Sequence, residues 1–298
     1  MEDPMPKKIL LIVNPKAGKG RAKETLFDAV CVFSEAGFLT DARLTKAPGH
    51  AAELARTLGR DYDVVACCGG DGTLHHTVNG LLRLEQPPLL GYIPSGSTND
   101  FAASLGLPKT PEDAADAVVN GRPHAIDAGD FGGELFCYVA AFGAFSAVSY
   151  ETPQNMKNAM GHLAYIIEGV KRLPIGEKYP ARVEVGDQVF EEEFLFCSIS
   201  NTTSIGGFSL DKSVEATLDD GEFEVLLIKA PQSVLELNAL AGKLLARDFD
   251  NEFMTMTQAS QVRFTFPKKT AWTLDGEFGG DITQVEIAVR PQALWMRV

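Results

Sequence analysis

Three glycines surround one aspartate at the exit of an apolar, strand-like run. The run "VVACC" leads directly into Gly69-Gly70-Asp71-Gly72-Thr73. Glycine adopts positive φ without strain, so we expect a sharp turn whose N–H groups point inward and bind an anion. A polyphosphate would lie against the bare backbone, and Asp71 would hold Mg²⁺ or accept a proton. The stretch predicts a nucleotide phosphate site, although a lone Gly-Asp-Gly is more often a tight turn.

Three further polar segments follow apolar runs in the same half of the chain. Asn14-Pro15-Lys16-Ala17-Gly18 follows "KILLIV", Thr45 follows "FLTDARL", and the segment 94–102, "PSGSTNDFA", follows "PPLLGYI". Parallel sheets bind ligands at the carboxyl ends of their strands, so we expect all these segments at one edge of a sheet. No segment matches the P-loop pattern, because no Gly-Lys-Ser/Thr follows the glycines.

Other acidic residues and histidines leave alternatives open. Asp275 and Glu277 flank Gly276 in "TAWTLDGEFGG", where a hairpin turn is a sufficient explanation. The run 219–222, "DDGE", is explained equally well as a solvated turn. For the adjacent pair His75-His76 we expect a position on a helix surface rather than a contact with phosphate.

Strand-like and helical patterns alternate through the first part of the chain. This alternation predicts an α/β N-terminal domain, residues 1–122, with a parallel sheet covered by helices. Strand-like runs then dominate and predict a mostly antiparallel β C-terminal domain, residues 123–289, built as a sandwich or open barrel with one or two helices. We expect the tail, residues 290–298, to pack back on the first domain.

Composition narrows the class of protein. The net charge of −13 argues against general binding of nucleic acid. No apolar run approaches the ~18 residues of a membrane span, and the N-terminal apolar run is too short for a secretion signal. We therefore expect a soluble cytoplasmic protein. Its five cysteines lack regular spacing and are expected to be buried, reduced thiols.

Taken together, the motifs resemble the diacylglycerol-kinase catalytic-domain family: bacterial diacylglycerol kinases and related lipid kinases, with sphingosine and ceramide kinases as relatives. Eight segments carry the resemblance, in order, over nearly the whole chain: "NPKAG", "GGDGT", "PSGSTNDFA", "AIDAGD", "YVAAFGAFS", "SNTTSIGG", "LDDGEFEV" and "LDGE". "GGDGT" alone is shared with NAD kinases and phosphofructokinases. Its combination with "TNDFA" and a late "LDGE" is specific for the diacylglycerol-kinase catalytic-domain family. The resemblance implies an ATP-dependent kinase acting on a lipid hydroxyl, with diacylglycerol giving phosphatidic acid.

The resemblance also implies roles for individual residues. The implied ATP-binding residues are Asn14, Thr45, Gly69, Gly70, Asp71, Gly72, Thr73, Ser97, Asn99 and Asp100. Glu277 is the implied general base, with Asp71 organising Mg–ATP and competing for the base role. Asp275 would support Mg²⁺ or orient Glu277. A structural Mg²⁺ would use Asp220 and the carbonyl of Glu222, with Thr217 at a position where relatives often have a carboxylate or amide.

The implied partner is a lipid substrate at the membrane surface. The helical segment 161–174, "GHLAYIIEGVKRLP", ends in Lys171 and Arg172 and would either pack on the β domain or contact the membrane peripherally. A homodimer is compatible with the sequence.

Two alternative functions stay open. An NAD kinase would share the glycine loop, but "PSGSTNDFA" and "LDGE" argue against this alternative. An inactive nucleotide- or lipid-binding protein would not need Asp71, Asn99, Asp100 and Glu277.

Overall fold

The computed structural model describes residues 7–18, 21–96, 99–144, 178–201, 204–205, 208–209, 218–246 and 248–298. The chain forms two compact units, one of residues 1–128 with 291–298 and the other of residues 129–290. The boundary predicted from the sequence was at residue 122, with a returning tail from residue 290. The helical segment predicted at 161–174 lies outside the described residues.

The first unit alternates strands with helices. Its elements are β1 (Lys8–Val13), α1 (Ala22–Glu35), β2 (Leu39–Leu44), α2 (His50–Leu58), a 3-10 turn (Gly59–Asp61), β3 (Val64–Gly69), α3 (Asp71–Leu81), β4 (Leu89–Pro94), α4 (Asp100–Ser104) and α5 (Pro111–Asn120). β5 (Pro123–Phe131) begins in this unit, and β15 (Glu277–Arg297) ends in it. The tail is held in place where the Val298 carbonyl accepts the Arg122 N–H at 3.0 Å.

The strands of the first unit pair in parallel in the order β2-β1-β3-β4. The runs of β1 and β3 are apolar and buried because helices cover both faces of the sheet. On one face α1 and α5 pack together, and α1 contributes Ala29 and Phe33, four residues apart on one side of the helix. Val13 pairs with Cys68, and Cys68 with Ile93, so these strands end level.

The second unit is rich in β-structure. Its elements are the end of β5, β6 (Glu134–Phe136), β7 (Val139–Gly143), β8 (Tyr179–Val185), β9 (Gln188–Ser200), β10 (Ser204–Ile205), β11 (Phe208–Ser209), β12 (Phe223–Lys229), α6 (Val234–Ala246), β13 (Met254–Ala259), β14 (Gln261–Leu274) and most of β15. Together with the first unit, this confirms the coarse prediction: strands and helices first, then a β-rich domain.

Two long strands bend between layers of the second unit. β9 and β14 each pair with β8 through one half and with β7 through the other, always antiparallel. Aromatic rings fill the space that the bend encloses: the ring centroid of Phe142 lies 4.8 Å from that of Trp272 and 5.7 Å from that of Phe264. The other face of β9 and β12 packs against Leu237, Leu240 and Leu244 of α6.

The sequence pattern predicts a single strand over "MTQASQVRFTFP", residues 256–267, but the structure divides this run between two strands. β13 ends at Ala259, and β14 continues through Pro267 to Leu274. Proline is tolerated there because the pairing of β14 with β15 shifts register between Thr265 and Thr270, where no regular ladder hydrogen bond is required.

Two further expectations concern the burial of the cysteines and the absence of a membrane-spanning helix. All five cysteines are free, but Cys31 is only partly buried, whereas the other four are buried. Burial raises the pKa of the Cys67 thiol, because the thiolate would lose its hydration. Among the described residues, no helix is long and apolar enough to cross a membrane.

Candidate active site

Polar segments meet at the carboxyl edge of the parallel sheet. The Asn14 N–H donates to the Cys68 carbonyl at 2.9 Å, and the Thr45 N–H donates to the Val13 carbonyl at 2.8 Å. The Ser95 N–H donates to the Gly69 carbonyl at 2.8 Å. These bonds extend the strand pairing by one residue, so the segments after β1, β2, β3 and β4 begin side by side, as the sequence predicted.

The glycine-rich segment after β3 is the start of a helix. Gly70 is the N-cap of the eleven-residue helix α3, and its carbonyl accepts the Leu74 N–H at 3.1 Å. The first N–H groups of a helix lack partners within it, and the helix dipole makes this end positive. The segment can therefore bind phosphate through backbone N–H groups.

The expectation of positive φ at Gly70 is wrong. Its φ of −93° and ψ of −175° are extended values open to any residue. Glycine is required for space: a Cβ on Gly96 would lie 2.5 Å from the Gly70 Cα, and a Cβ on Gly69 would lie 2.5 Å from the Thr73 Cβ. The segments after β3 and β4 thus touch backbone to backbone, which leaves a surface without side chains.

Asn14 holds the first segment against α3. Its Nδ2 donates to the Thr73 Oγ1 at 3.1 Å, and its Oδ1 accepts the Lys16 N–H at 3.0 Å. The Thr73 hydroxyl is thereby oriented in a residue that is largely buried. Asn14 therefore shapes the edge of the sheet through these two bonds.

The Asn99 side chain forms hydrogen bonds with the backbone of the segment after β4, in which it lies. Its Oδ1 accepts the Gly96 N–H at 2.9 Å, and its Nδ2 donates to the Gly96 carbonyl at 3.1 Å. Its backbone has φ of +54°, a left-handed value that asparagine tolerates. The amide of Asn99 thus closes the loop, a role that the sequence did not indicate. Ser97 and the side chain of Asp100 lie outside the described part of the chain.

Two residues of α3 differ in their surroundings. Asp71 is half-buried, and its Oδ1 accepts the Phe101 N–H at 3.5 Å, close to the start of α4. His75 is buried, so the expected place on a helix surface is wrong. The reason is that α3 is covered over most of its circumference: Leu74, Thr77 and Val78 are buried as well.

The second acidic motif forms a two-residue hairpin turn in the other unit. Asp275 and Gly276 have φ of +50° and +85°, and they connect the paired residues Leu274 and Glu277. Positive φ at both central residues is the geometry that Asp-Gly favours between twisted strands. Glu277 is exposed at the start of β15, and Phe278 beside it is 64% exposed.

The Asp275 carboxylate binds backbone rather than solvent. It is buried and accepts the N–H groups of Cys137 at 2.8 Å, Tyr138 at 2.9 Å and Val139 at 3.1 Å. Three consecutive donors hold the charged carboxylate in a fixed position. Asp275 thus anchors the hairpin to the connection between β6 and β7, and this set of backbone partners could not be read from the sequence.

The third acidic motif is an exposed turn. The Asp220 Oδ1 accepts the Glu222 N–H at 3.0 Å, and both residues are exposed. Nowhere in the described ranges do three His, Cys, Asp or Glu side chains come together as metal ligands. Thr217 lies outside those ranges. The residues present do not form a complete cation cage, and the structural Mg²⁺ at Asp220 and Glu222 stays a prediction.

Known proteins match both units of the chain. The family model "Diacylglycerol kinase catalytic domain" matches residues 8–131. The family model "YegS C-terminal NAD kinase beta sandwich-like domain" matches residues 139–298.

Individual relatives match over most of their length. A diacylglycerol kinase of Staphylococcus saprophyticus is 39% identical over 93% of this chain and 91% of its own. A diacylglycerol kinase of Bacillus subtilis is 32% identical over 92% of this chain and 91% of its own. A crystal structure of a Bacillus anthracis protein aligns with a TM-score of 0.83 at 26% identity, covering 99% of this chain and 96% of that one. The chain therefore belongs to the diacylglycerol kinase family.

Proposed function

We propose that this protein is an ATP-dependent lipid kinase that transfers the γ-phosphate of ATP to the hydroxyl of diacylglycerol, giving phosphatidic acid. The supporting observation is the backbone contact of Gly70 with Gly96 at the start of α3, in a chain whose relatives are named diacylglycerol kinase. This contact excludes side chains beside the first N–H groups of α3, where a polyphosphate would lie.

The first unit would hold the nucleotide. The N–H groups at the start of α3 bind phosphate oxygens, and Thr45 begins the segment after β2 at the same polar edge. Ser97 and Asp100 are assigned to the nucleotide by the family resemblance. Asp71 would hold the Mg²⁺ of Mg–ATP. Its carboxylate suits this role because it is half-buried and lies beside these N–H groups. Such Mg²⁺ needs only one or two protein carboxylates, because phosphate and water supply the other oxygens. When bound, the ion neutralises charge on the transferring phosphoryl group.

The second unit would hold the acceptor and the base. Glu277 takes the proton of the lipid hydroxyl as its oxygen attacks the γ-phosphorus and the bond to ADP breaks. Asp275 is a positioning residue, because both its oxygens accept backbone N–H groups. We propose that the protein acts in the cytoplasm and takes its substrate through peripheral contact with the membrane surface.

A labelled-phosphate screen tests this function. The protein is incubated with γ-labelled ATP and Mg²⁺ beside dioleoylglycerol micelles, a total lipid extract, or NAD. We expect label in phosphatidic acid. Label in NADP would instead support an NAD kinase, the alternative favoured by the name of the matched C-terminal domain. Label in no product would support an inactive binding protein.

A further inference from the structure

A tyrosine side chain lies buried between the parallel sheet and α3. Tyr92 of β4 is 1% exposed and pairs with Cys67 of β3, so the two side chains lie on the same face of the sheet. On that face the Cys67 thiol forms a hydrogen bond with the Thr77 side chain of α3. Phenylalanine would fill the same space as Tyr92, so the buried hydroxyl has to be explained by a hydrogen-bond partner.

The Tyr92 hydroxyl reaches the side chain of Asn99. It donates to the Asn99 Oδ1 at 3.3 Å, and the same oxygen accepts the Gly96 N–H at 2.9 Å. The Asn99 Nδ2 donates to the Gly96 carbonyl at 3.1 Å. All three bonds require the same orientation of the amide, with its oxygen towards both donors. The hydroxyl therefore opposes rotation of the Asn99 side chain.

Asn99 has a backbone conformation that needs such support. Its φ of +54° is left-handed, and a residue other than glycine keeps such a value only where the surrounding structure holds it. Two of the three side-chain bonds above join Asn99 to Gly96 in its own segment. The third comes from Tyr92, which is fixed in the sheet. Tyr92 thus ties the segment after β4 to the sheet through Asn99.

This segment is the one that touches the start of α3. A Cβ on Gly96 would lie 2.5 Å from the Gly70 Cα and 2.6 Å from the Asn99 Oδ1, so Gly96 is packed between the two residues. Gly70 is the N-cap of α3, whose first N–H groups are suited to bind phosphate. A displaced Asn99 would move Gly96 and, through the backbone contact, the start of α3.

We propose that Tyr92 is a positioning residue of the nucleotide site. Its hydroxyl fixes the Asn99 amide, and Asn99 holds Gly96 against the start of α3. Tyr92 acts through Asn99 and preorganises the segment before ATP binds, which lowers the free-energy cost of binding. This inference rests on the proposed function, because it takes the start of α3 as the phosphate site. It adds a residue from the buried face of the sheet.

Tyr92→Phe removes only the hydroxyl and tests this role. A neutral hydrogen bond is worth about 2–10-fold in an equilibrium constant, and a distance of 3.3 Å is long for two oxygen atoms, so we expect an effect of about 2–5-fold. The Kd and the KM for ATP should rise by this factor. The KM for dioleoylglycerol, and kcat at saturating ATP, should keep their wild-type values. Calorimetric titration and steady-state kinetics measure these constants.

A second tyrosine of the same unit gives a matched control. Tyr62 lies just before β3, at its amino end, and its hydroxyl donates to the Asp41 Oδ2 at 2.7 Å. Tyr62→Phe therefore loses a shorter bond, to a carboxylate, far from the carboxyl edge of the sheet. We expect this variant to lose at least as much thermal stability as Tyr92→Phe. Its affinity for ATP should equal that of wild type.

Two further measurements test whether Tyr92 acts through Asn99. Asn99→Gly removes the amide and keeps a left-handed backbone without strain. In this background Tyr92→Phe should cause no additional loss of ATP affinity, because the hydroxyl has lost its acceptor. In wild-type background and without nucleotide, Tyr92→Phe should speed hydrogen exchange of the Gly96 N–H. The N–H groups of β9, in the other unit, should exchange at wild-type rates.

The opposite results overturn the inference. A lower melting temperature with an unchanged Kd for ATP would show that the hydroxyl contributes to stability only. Additive losses in the Tyr92→Phe, Asn99→Gly double variant would show that Tyr92 does not act through Asn99. In both cases wild-type phosphorylation of diacylglycerol would leave the proposed function standing. If wild-type protein binds ATP and phosphorylates no lipid, the proposed acceptor is wrong, and the affinity measurements still decide the role of Tyr92.

Discussion

The Asp275 carboxylate accepts the backbone N–H of Tyr138 at 2.9 Å, although 137 positions separate the two residues in the chain. The same carboxylate binds the neighbouring N–H groups of Cys137 and Val139. An acidic residue next to a proposed base therefore acts as an anchor for its hairpin. The exposed Glu277 owes its position to a buried charge two residues away.

Replacing Asp275 by Asn should lower stability and turnover together. An amide accepts through one oxygen only and places an NH₂ group against backbone donors. We expect a loss of about 1–3 kcal/mol in the free energy of unfolding. Denaturant titration and steady-state kinetics measure both effects. Asp281→Asn, at an exposed position of β15, the strand that follows the hairpin turn, is the matched control. An Asp275→Asn variant as stable as wild type would contradict the anchoring role.

Replacing Glu277 by Gln should remove the base while preserving shape. Loss of a general base typically lowers the rate by about 10²–10⁴-fold. Since Glu277 lies outside the unit that would hold ATP, nucleotide affinity should hardly change. Single-turnover phosphorylation of diacylglycerol micelles gives the rate, and calorimetry gives the affinity. A variant that keeps more than about a third of wild-type turnover would leave Asp71 as the candidate base.

Replacing Gly70 by Val should abolish ATP binding. A Cβ at Gly70 would lie 3.1 Å from the Gly96 Cα, and the branched side chain of valine would push the two segments apart. The control is Gly242→Ala, because a Cβ on Gly242 in α6 meets nothing within 4 Å. Calorimetric titration with ATP compares the two variants. Wild-type affinity in Gly70→Val would place the nucleotide site elsewhere.

Replacing Asp71 by Asn should separate binding from chemistry. The change keeps the size of the side chain and removes one negative charge beside the phosphates. We expect weaker Mg–ATP binding that remains measurable, with little turnover, because charge neutralisation matters most in the transition state. Mg²⁺ dependence of the rate provides a second readout. Equal Mg²⁺ dependence in variant and wild type would argue against Asp71 as the Mg²⁺ group.

Replacing Asp220 by Ala tests the predicted structural Mg²⁺. If the ion binds the folded state at Asp220 and Glu222, added Mg²⁺ raises the melting temperature of wild type, and the variant loses this gain. Thermal unfolding with Mg²⁺ and with EDTA measures the difference. The same melting temperature for wild type in both conditions would show that the exposed turn binds no ion.

The sequence by itself determined the order of elements and the location of the polar segments. Apolar runs such as β1 and β3 are local patterns, and the residues that follow them must lie at the strand ends. The coarse division into an α/β part and a β-rich part follows from the same periodicity. These features depend on neighbours in the chain, so they can be read from it.

Only the tertiary structure decided how individual residues are used. Gly70 is glycine because Gly96 touches it, not because of its own φ. His75 is buried because α3 is covered over most of its circumference, and Asp275 is anchored by backbone groups far away in the sequence. Each outcome depends on contacts between segments distant in the chain, and backbone donors and interhelical packing leave no periodic signal in residue types.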